Sequence, residues 1–135
     1  MKQKITPFFM FNGTAEAAIH FYLSIFRNSE LVTIHRYGSE GPGPEGSVNH
    51  AIFKLYGTEY MAIDNSNAVD IPLTPATSFV IHCETLAEIE YLYESLSEHG
   101  RILMPLSEMP PVAERFCWIQ DKFGVCWQLN LPLLR

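Results

Sequence analysis

The sequence predicts an α+β chain made of two βαβββ modules, one following the other. Three observations carry that expectation. A short aromatic-rich segment leads into a single apolar stripe at helical spacing, and three strand-like segments follow it. The same order of signals recurs from Ser78 onward, which reads as an internal repeat despite weak residue identity. Each half alone would leave one sheet face uncovered, so the halves are expected to pack or pair.

In order along the chain, Ile5 to Phe11 is short and aromatic, which suits a strand. Asn12-Gly13-Thr14 breaks it, with Thr14 placed as a helix N-cap. Ala15, Ala18, Ile19, Tyr22 and Phe26 then form one stripe, while His20, Ser24 and Arg27 fall off it. Leu31 to Tyr37 alternates as a strand does. The run Gly38 to Ser47, rich in Gly, Pro and Glu, is expected to be mobile. Val48 to Tyr56 and Glu59 to Asp64 read as a hairpin turning at Gly57-Thr58.

The second half opens with a strand at Ser78 to Cys83, and Thr85-Leu86-Ala87-Glu88 is a capping box. Leu86, Ile89, Leu92, Tyr93 and Leu96 form the second stripe, with Gly100 expected as the left-handed residue that ends the helix. Arg101 to Met104 is a short strand. Pro105 to Glu114 is expected to be a long loop stiffened by prolines, of the kind that sometimes covers a ligand. Phe116 to Gln120 and Val125 to Leu131 close the chain as a hairpin around Asp121 to Gly124. The modules span about residues 1–66 and 75–132 of a single domain covering 1–135.

The totals narrow the function classes. The 135 residues carry a net charge of −6, with no Lys/Arg cluster, which argues against nucleic acid and anionic membranes as partners. No apolar stretch approaches the ~20 residues a membrane span needs. The N-terminal run is too short for a signal-peptide core, so a cytoplasmic location is expected. Cys83, Cys117 and Cys126 contain no CxxC pair and are expected to be buried free thiols. A hairpin closed by Asp121 and Gly124 would set Cys117 against Gln128 and Cys126 against Ile119.

Three segments, TPFFMFNGTAEAAIHFY, VNHAIFKLYG and WIQDKFGVCWQLN, together resemble the PhnB-like branch of the vicinal-oxygen-chelate superfamily, which holds glyoxalases, bleomycin-resistance proteins and extradiol dioxygenases. The resemblance covers nearly the whole chain in order. It implies two βαβββ modules in a cupped, incomplete mixed β-barrel with the helices outside, a small-molecule pocket, and a homodimer. Members of this branch are often labelled 3-demethylubiquinone methyltransferases. The sequence argues against that chemistry: Asn12-Gly13-Thr14 is no Gly-rich dinucleotide-type turn, and each module puts three strands after one helix.

Metal-dependent relatives place a His or Glu on the first and last strand of each module. Laid onto this chain, those positions fall at or beside Pro7, near Ser78, at Gln128, and at Ile63 or Asp64 with the register open by one residue. Too few good donors remain for a tight divalent site, so no metal or other cofactor is expected. The alternative donor set is His50, Asp64, His82 and Gln128.

The other candidates have plainer readings. Strand alternation puts Ser78, Val80 and His82 on one face, and Cys126, Gln128 and Asn130 on one face. His20 and His99 read as solvated, and His35 with Arg36 as a rim pair. Trp118 and Trp127 are expected in core or interface packing, with ligand stacking the lesser reading. The leading expectation is a small-molecule binding protein of the antibiotic-sequestering type with a partly apolar pocket. Phe9, Phe11 and Val80 would form its walls, and His50, Asp64, Ser78, His82 and Gln128 its polar points. The rival is a metal-dependent lyase, isomerase or dioxygenase. A dimeric scaffold with a vestigial pocket is a third reading.

Overall fold

The computed structural model describes residues 3–66 and 70–133. The expected order of elements is present: β1 (Phe8–Phe11), α1 (Ala15–Ile25), β2 (Ser29–Arg36), β3 (Val48–Leu55), β4 (Thr58–Asp64), β5 (Phe79–His82), α2 (Leu86–Ser97), β6 (Arg101–Met109), β7 (Ala113–Gln120) and β8 (Cys126–Leu131). The chain divides into two compact units, Met1–Ile71 and Pro72–Arg135, each holding one module. Their sheets have the same topology. The strand orders are β1-β4-β3-β2 and β5-β8-β7-β6, and in each the first strand runs parallel to the last. Both are open mixed sheets with one helix packed on one face.

In the first unit, Ala15, Ala18, Ile19 and Tyr22 of α1 are buried, as the helical spacing predicted. They meet the sheet face that carries Phe53, which stacks on Tyr22 with ring centroids 6.3 Å apart. Tyr60 stacks on Phe53 at 5.4 Å and on Phe9 at 6.0 Å, so Phe9 and Tyr60 share that helix-side face. Fixing Tyr60 on this side fixes the register left open in the sequence. Alternation brings Ala62 and Asp64 to the helix side, and Met61 and Ile63 to the other.

Several local expectations are corrected by longer-range chemistry. Thr14 makes no side-chain cap. The first free N–H of α1, at Ala15, instead donates to Asp64 Oδ1 at 2.8 Å, from a residue 49 positions away. The β3–β4 hairpin turns at Tyr56-Gly57 rather than Gly57-Thr58, both with positive φ (52° and 79°) and with Leu55 paired to Thr58. The Gly38–Ser47 loop is folded onto Tyr37, whose backbone exchanges hydrogen bonds with Gly46 and Ser47 and whose ring leaves no room for a Cβ at Gly43.

In the second unit Thr85 caps α2 as expected, while the return bond of the capping box falls one residue earlier, on Glu84. Glu88 N donates to Thr85 Oγ1 at 3.1 Å, and Glu88 Oε1 accepts from Glu84 N at 2.7 Å. The helix ends differently: His99, not Gly100, takes the left-handed conformation, at φ 58°. Gly100 is needed for a different reason, since a Cβ there would collide with the carbonyl oxygen of Gln120.

The expected Pro105–Glu114 loop is mostly strand. β6 continues to Met109 and only three residues separate it from β7. Pro105 is tolerated because β6 is the sheet edge and its register shifts between Met104 and Ser107. The closing hairpin pairs Gln120 with Cys126, one residue from the expected register. Asp121 sets that longer loop, its buried Oδ1 accepting from Phe123 N and Val125 N at 2.8 and 3.1 Å. Cys117 therefore faces Leu129, and Ile119 faces Trp127. All three cysteines are free and buried.

Candidate functional site

The face of the second sheet away from α2 gathers four of the eight expected site residues, Ser78, Val80, His82 and Gln128. One row across it runs Val80, Gln128, Trp118 and Met104, each paired with the next. The adjacent row runs His82, Asn130, Phe116 and Ser107. Cross-strand partners point to the same side of a sheet, so these eight side chains share one surface. The opposite surface carries Phe79, Trp127, Ile81, Leu129 and Cys117 and is the core under α2.

Ser78 joins the first surface through its side chain. Gln128 Nε2 donates to Ser78 Oγ at 2.8 Å, across the parallel pair β5 and β8. The expected association of Ser78, Val80, His82 and Gln128 is thus a physical cluster within this unit. Val80 is 48% exposed, His82 is exposed, and Gln128, Asn130, Phe116 and Trp118 are half-buried. The surface sets four apolar side chains, Val80, Met104, Phe116 and Trp118, among polar ones, and small-molecule sites combine apolar area with convergent polar groups.

Sequence reasoning gave Trp118 a packing role and missed its polar end. Its Nε1 is fully buried and has no hydrogen-bond partner, the only such side-chain atom among the described residues. Sealing a donor from water without a partner costs about 1–3 kcal/mol, so the group stands out. Trp127, on the neighbouring strand β8 and the opposite face of the sheet, is treated differently: its Nε1 donates to the buried Asp121 Oδ2 at 2.9 Å. No sequence signal separates the two tryptophans, since only the register assigns them to opposite faces.

Phe9 and Phe11, expected as pocket walls, are buried on the helix-side face of the first sheet, where Phe9 stacks on Tyr60. They are core residues of that unit. Asp64, expected as a polar point, is 3% exposed with both carboxylate oxygens engaged. Oδ1 accepts from Ala15 N and Oδ2 from Val48 N, each at 2.8 Å, so it pins α1 and β3 to the end of β4. His50 is half-buried on the face away from α1, paired across the strands with His35. Within that unit Asp64 and His50 therefore sit on opposite sides of one sheet.

The donor chemistry fits a tight divalent ion poorly. Pro7 offers no side-chain donor, Asp64 is committed to two backbone N–H groups, and Gln128 contributes a neutral amide already bonded to Ser78. Among the described residues, no group of three or more His, Cys, Asp and Glu side chains lies close enough to hold a metal.

The remaining titratable groups serve the surface or the core. Arg36 forms a two-point bond with Glu16 at 2.6 and 3.0 Å, which holds the exposed Glu16 carboxyl below the usual range. Burial pushes the Cys83 thiol up to about 12 and the Cys117 thiol up to about 11. Neither is a nucleophile near neutral pH. A cleft of about 280 Å³ lies at the β6–β7 turn, lined by Glu108, Pro110, Ala113, Glu114, Arg115 and Leu133. Its cation, Arg115, is already 3.4 Å from Glu108 and bonded to the Glu114 carbonyl.

Comparison with known proteins places this geometry. A family model described as 3-demethylubiquinone-9 3-methyltransferase matches residues 3–130. The chain is similar to a Bacillus cereus structure described as a putative 3-demethylubiquinone-9 3-methyltransferase, PhnB protein, at 49% identity and TM-score 0.91, covering 96% of this chain and 99% of that one. A Pseudomonas aeruginosa structure is 28% identical with TM-score 0.83, covering 97% and 98%. A glyoxylase/bleomycin resistance protein/dioxygenase domain from Frankia shares 11% identity and TM-score 0.69 over 98% and 94%, a likeness of fold alone.

Proposed function

Because the chain belongs to the PhnB-like family described as 3-demethylubiquinone-9 3-methyltransferase, within the glyoxalase-like fold, we propose that it binds a small, partly apolar molecule on the second sheet's face away from α2, without a tightly held metal. The observation that carries this reading is the Ser78–Gln128 pair set among Val80, His82, Trp118 and Phe116. That surface offers apolar contact area and directional polar groups together, which is how small-molecule sites combine affinity with orientation.

The family label does not supply the chemistry. Methyl transfer from S-adenosylmethionine in the usual way calls for a parallel sheet wound with alternating helices, and each module here has one helix and a mixed sheet. The metal-dependent lyase, isomerase or dioxygenase reading needs a donor set, and Asp64 would have to abandon two buried backbone bonds to join one. The same proposal has the protein cytoplasmic and homodimeric. Family likeness supports the dimer, as does the open edge that each four-stranded sheet has within its own unit.

Elemental analysis of untagged, chelator-free protein, run beside thermal shifts with nickel, zinc, manganese and iron(II), tests the metal-independent part. Metal-free protein indifferent to each ion is the expected result. Near-stoichiometric metal with a matching upward shift would contradict it and revive the enzyme reading.

A further inference from the structure

We infer that Gln128 and Asn130 form a two-point site for the edge of a neutral lactam or other cis amide. Gln128 Oε1 accepts the ligand's N–H and Asn130 Nδ2 donates to its C=O, while the ligand's apolar body lies against Trp118 and Phe116. The inference rests on the small-molecule reading above and adds the class of ligand. Both amides sit on β8 two residues apart, so alternation sets them on one face, away from α2. Gln128 Nε2 is committed to Ser78 Oγ at 2.8 Å, which holds the amide and leaves Oε1 as an oriented acceptor. Neither that oxygen nor the Asn130 amide has a hydrogen-bond partner among the described residues. Both residues are half-buried, yet these atoms are not sealed as the Trp118 indole nitrogen is, so they stay open to solvent.

The neighbours define what binds there. Trp118 pairs with Gln128 and Phe116 with Asn130, so a column of aromatic residues on β7 stands beside the column of amides on β8. Two residues along a strand are about 6.5 Å apart. A lactam edge, with its N and O about 2.2 Å apart and a hydrogen bond of about 2.9 Å at each, spans up to about 8 Å and covers that gap. The rows Val80, Gln128, Trp118, Met104 and His82, Asn130, Phe116, Ser107 contain no Lys, Arg, Asp or Glu. A charged ligand would find no fixed counter-charge in them. A ketone would leave the Gln128 acceptor unused and an alcohol would use one amide at a time. A group that carries donor and acceptor side by side uses both.

The test uses the full chain labelled with nitrogen-15 and two flat probes of the same shape, 2-quinolinone and coumarin, which differ in a ring N–H replaced by oxygen. The side-chain NH2 signals of Gln128 and Asn130, assigned with Gln128→Ala and Asn130→Ala, are the reporters. 2-Quinolinone should move both saturably at millimolar concentration and bind about tenfold more tightly than coumarin, the difference expected for one hydrogen bond. Gln128→Ala should bring the two probes to equal affinity. Asn130→Ala should weaken both by a similar factor and keep the preference for 2-quinolinone. A merely structural Gln128 would weaken both probes alike. An unchanged Trp127 indole signal reports that a variant is folded; if it is not, the probe preference and the NH2 signals of the parent protein decide alone.

Equal affinity of the two probes for the parent protein, or a preference that Gln128→Ala leaves intact, overturns the amide site and keeps the binding surface. If neither probe moves any signal on this face, both readings are overturned.

Discussion

Gln128 reaches across two parallel strands to bond Ser78, Nε2 to Oγ at 2.8 Å, on the sheet face opposite α2. The bond is half-buried, so its net contribution to stability should be modest. Gln128→Ala should lower unfolding free energy by about 0.5–1.5 kcal/mol, read by urea denaturation. The same change should weaken small-molecule binding more than it weakens the fold. A loss of several kcal/mol with binding intact would make Gln128 a structural residue instead.

Asp64 is the opposite case. Its two oxygens satisfy the N–H groups of Ala15 and Val48 inside the first unit. An amide can accept at one oxygen only, and its NH2 would face a second N–H donor. Asp64→Asn should therefore cost about 1–3 kcal/mol, with Thr14→Ala costing less because Thr14 makes no side-chain cap. Parallel denaturant curves measure both. Equal effects would contradict the capping role given to Asp64.

Gly100→Ala should destabilise the second unit by about 1–3 kcal/mol through overpacking, because its new Cβ meets the Gln120 carbonyl and the Asp121 backbone. Thermal unfolding reads the loss. A stabilised variant would mean that the Gln120–Asp121 segment yields easily.

The buried thiols give a pH dependence with a definite sign. Burial raises Cys83 from about 9 to about 12 and Cys117 from about 9 to about 11. The folded state therefore holds its protons longer than the unfolded state, and the stabilisation is complete below the unfolded thiol value. It is lost as pH rises from about 9 toward 11–12. Stability should fall by about 1 kcal/mol per thiol near pH 10, and Cys83→Ala with Cys117→Ala should flatten that slope. At neutral pH a thiol-reactive dye should label the cysteines slowly until denaturant is added.

Much of the fold was legible because it is written in local periodicity. The stripe from Ala15 to Tyr22, the Thr85–Glu88 box and the alternation through Ser78, Val80 and His82 each need only neighbouring residues to be read. What escaped depends on contacts that no short window contains. The cap of α1 comes from Asp64, the closing hairpin's register from Asp121, and the tolerance of Pro105 from an edge position known only once strand order is known. The site was legible in part for the same reason. Ser78, Val80, His82 and Gln128 share a face by simple alternation, whereas Phe9, Phe11 and Asp64 needed Tyr60 and Tyr22 to show which face was the core.

The most direct test of the binding surface is a nitrogen-15 chemical-shift map of the full chain titrated with a library of neutral, partly apolar small molecules. The account predicts that saturable hits perturb Ser78, Val80, His82, Trp118, Gln128 and Asn130 together, and that Gln128→Ala weakens them. Hits that cluster instead at the Glu108–Arg115 cleft, with the face away from α2 unmoved, would contradict it.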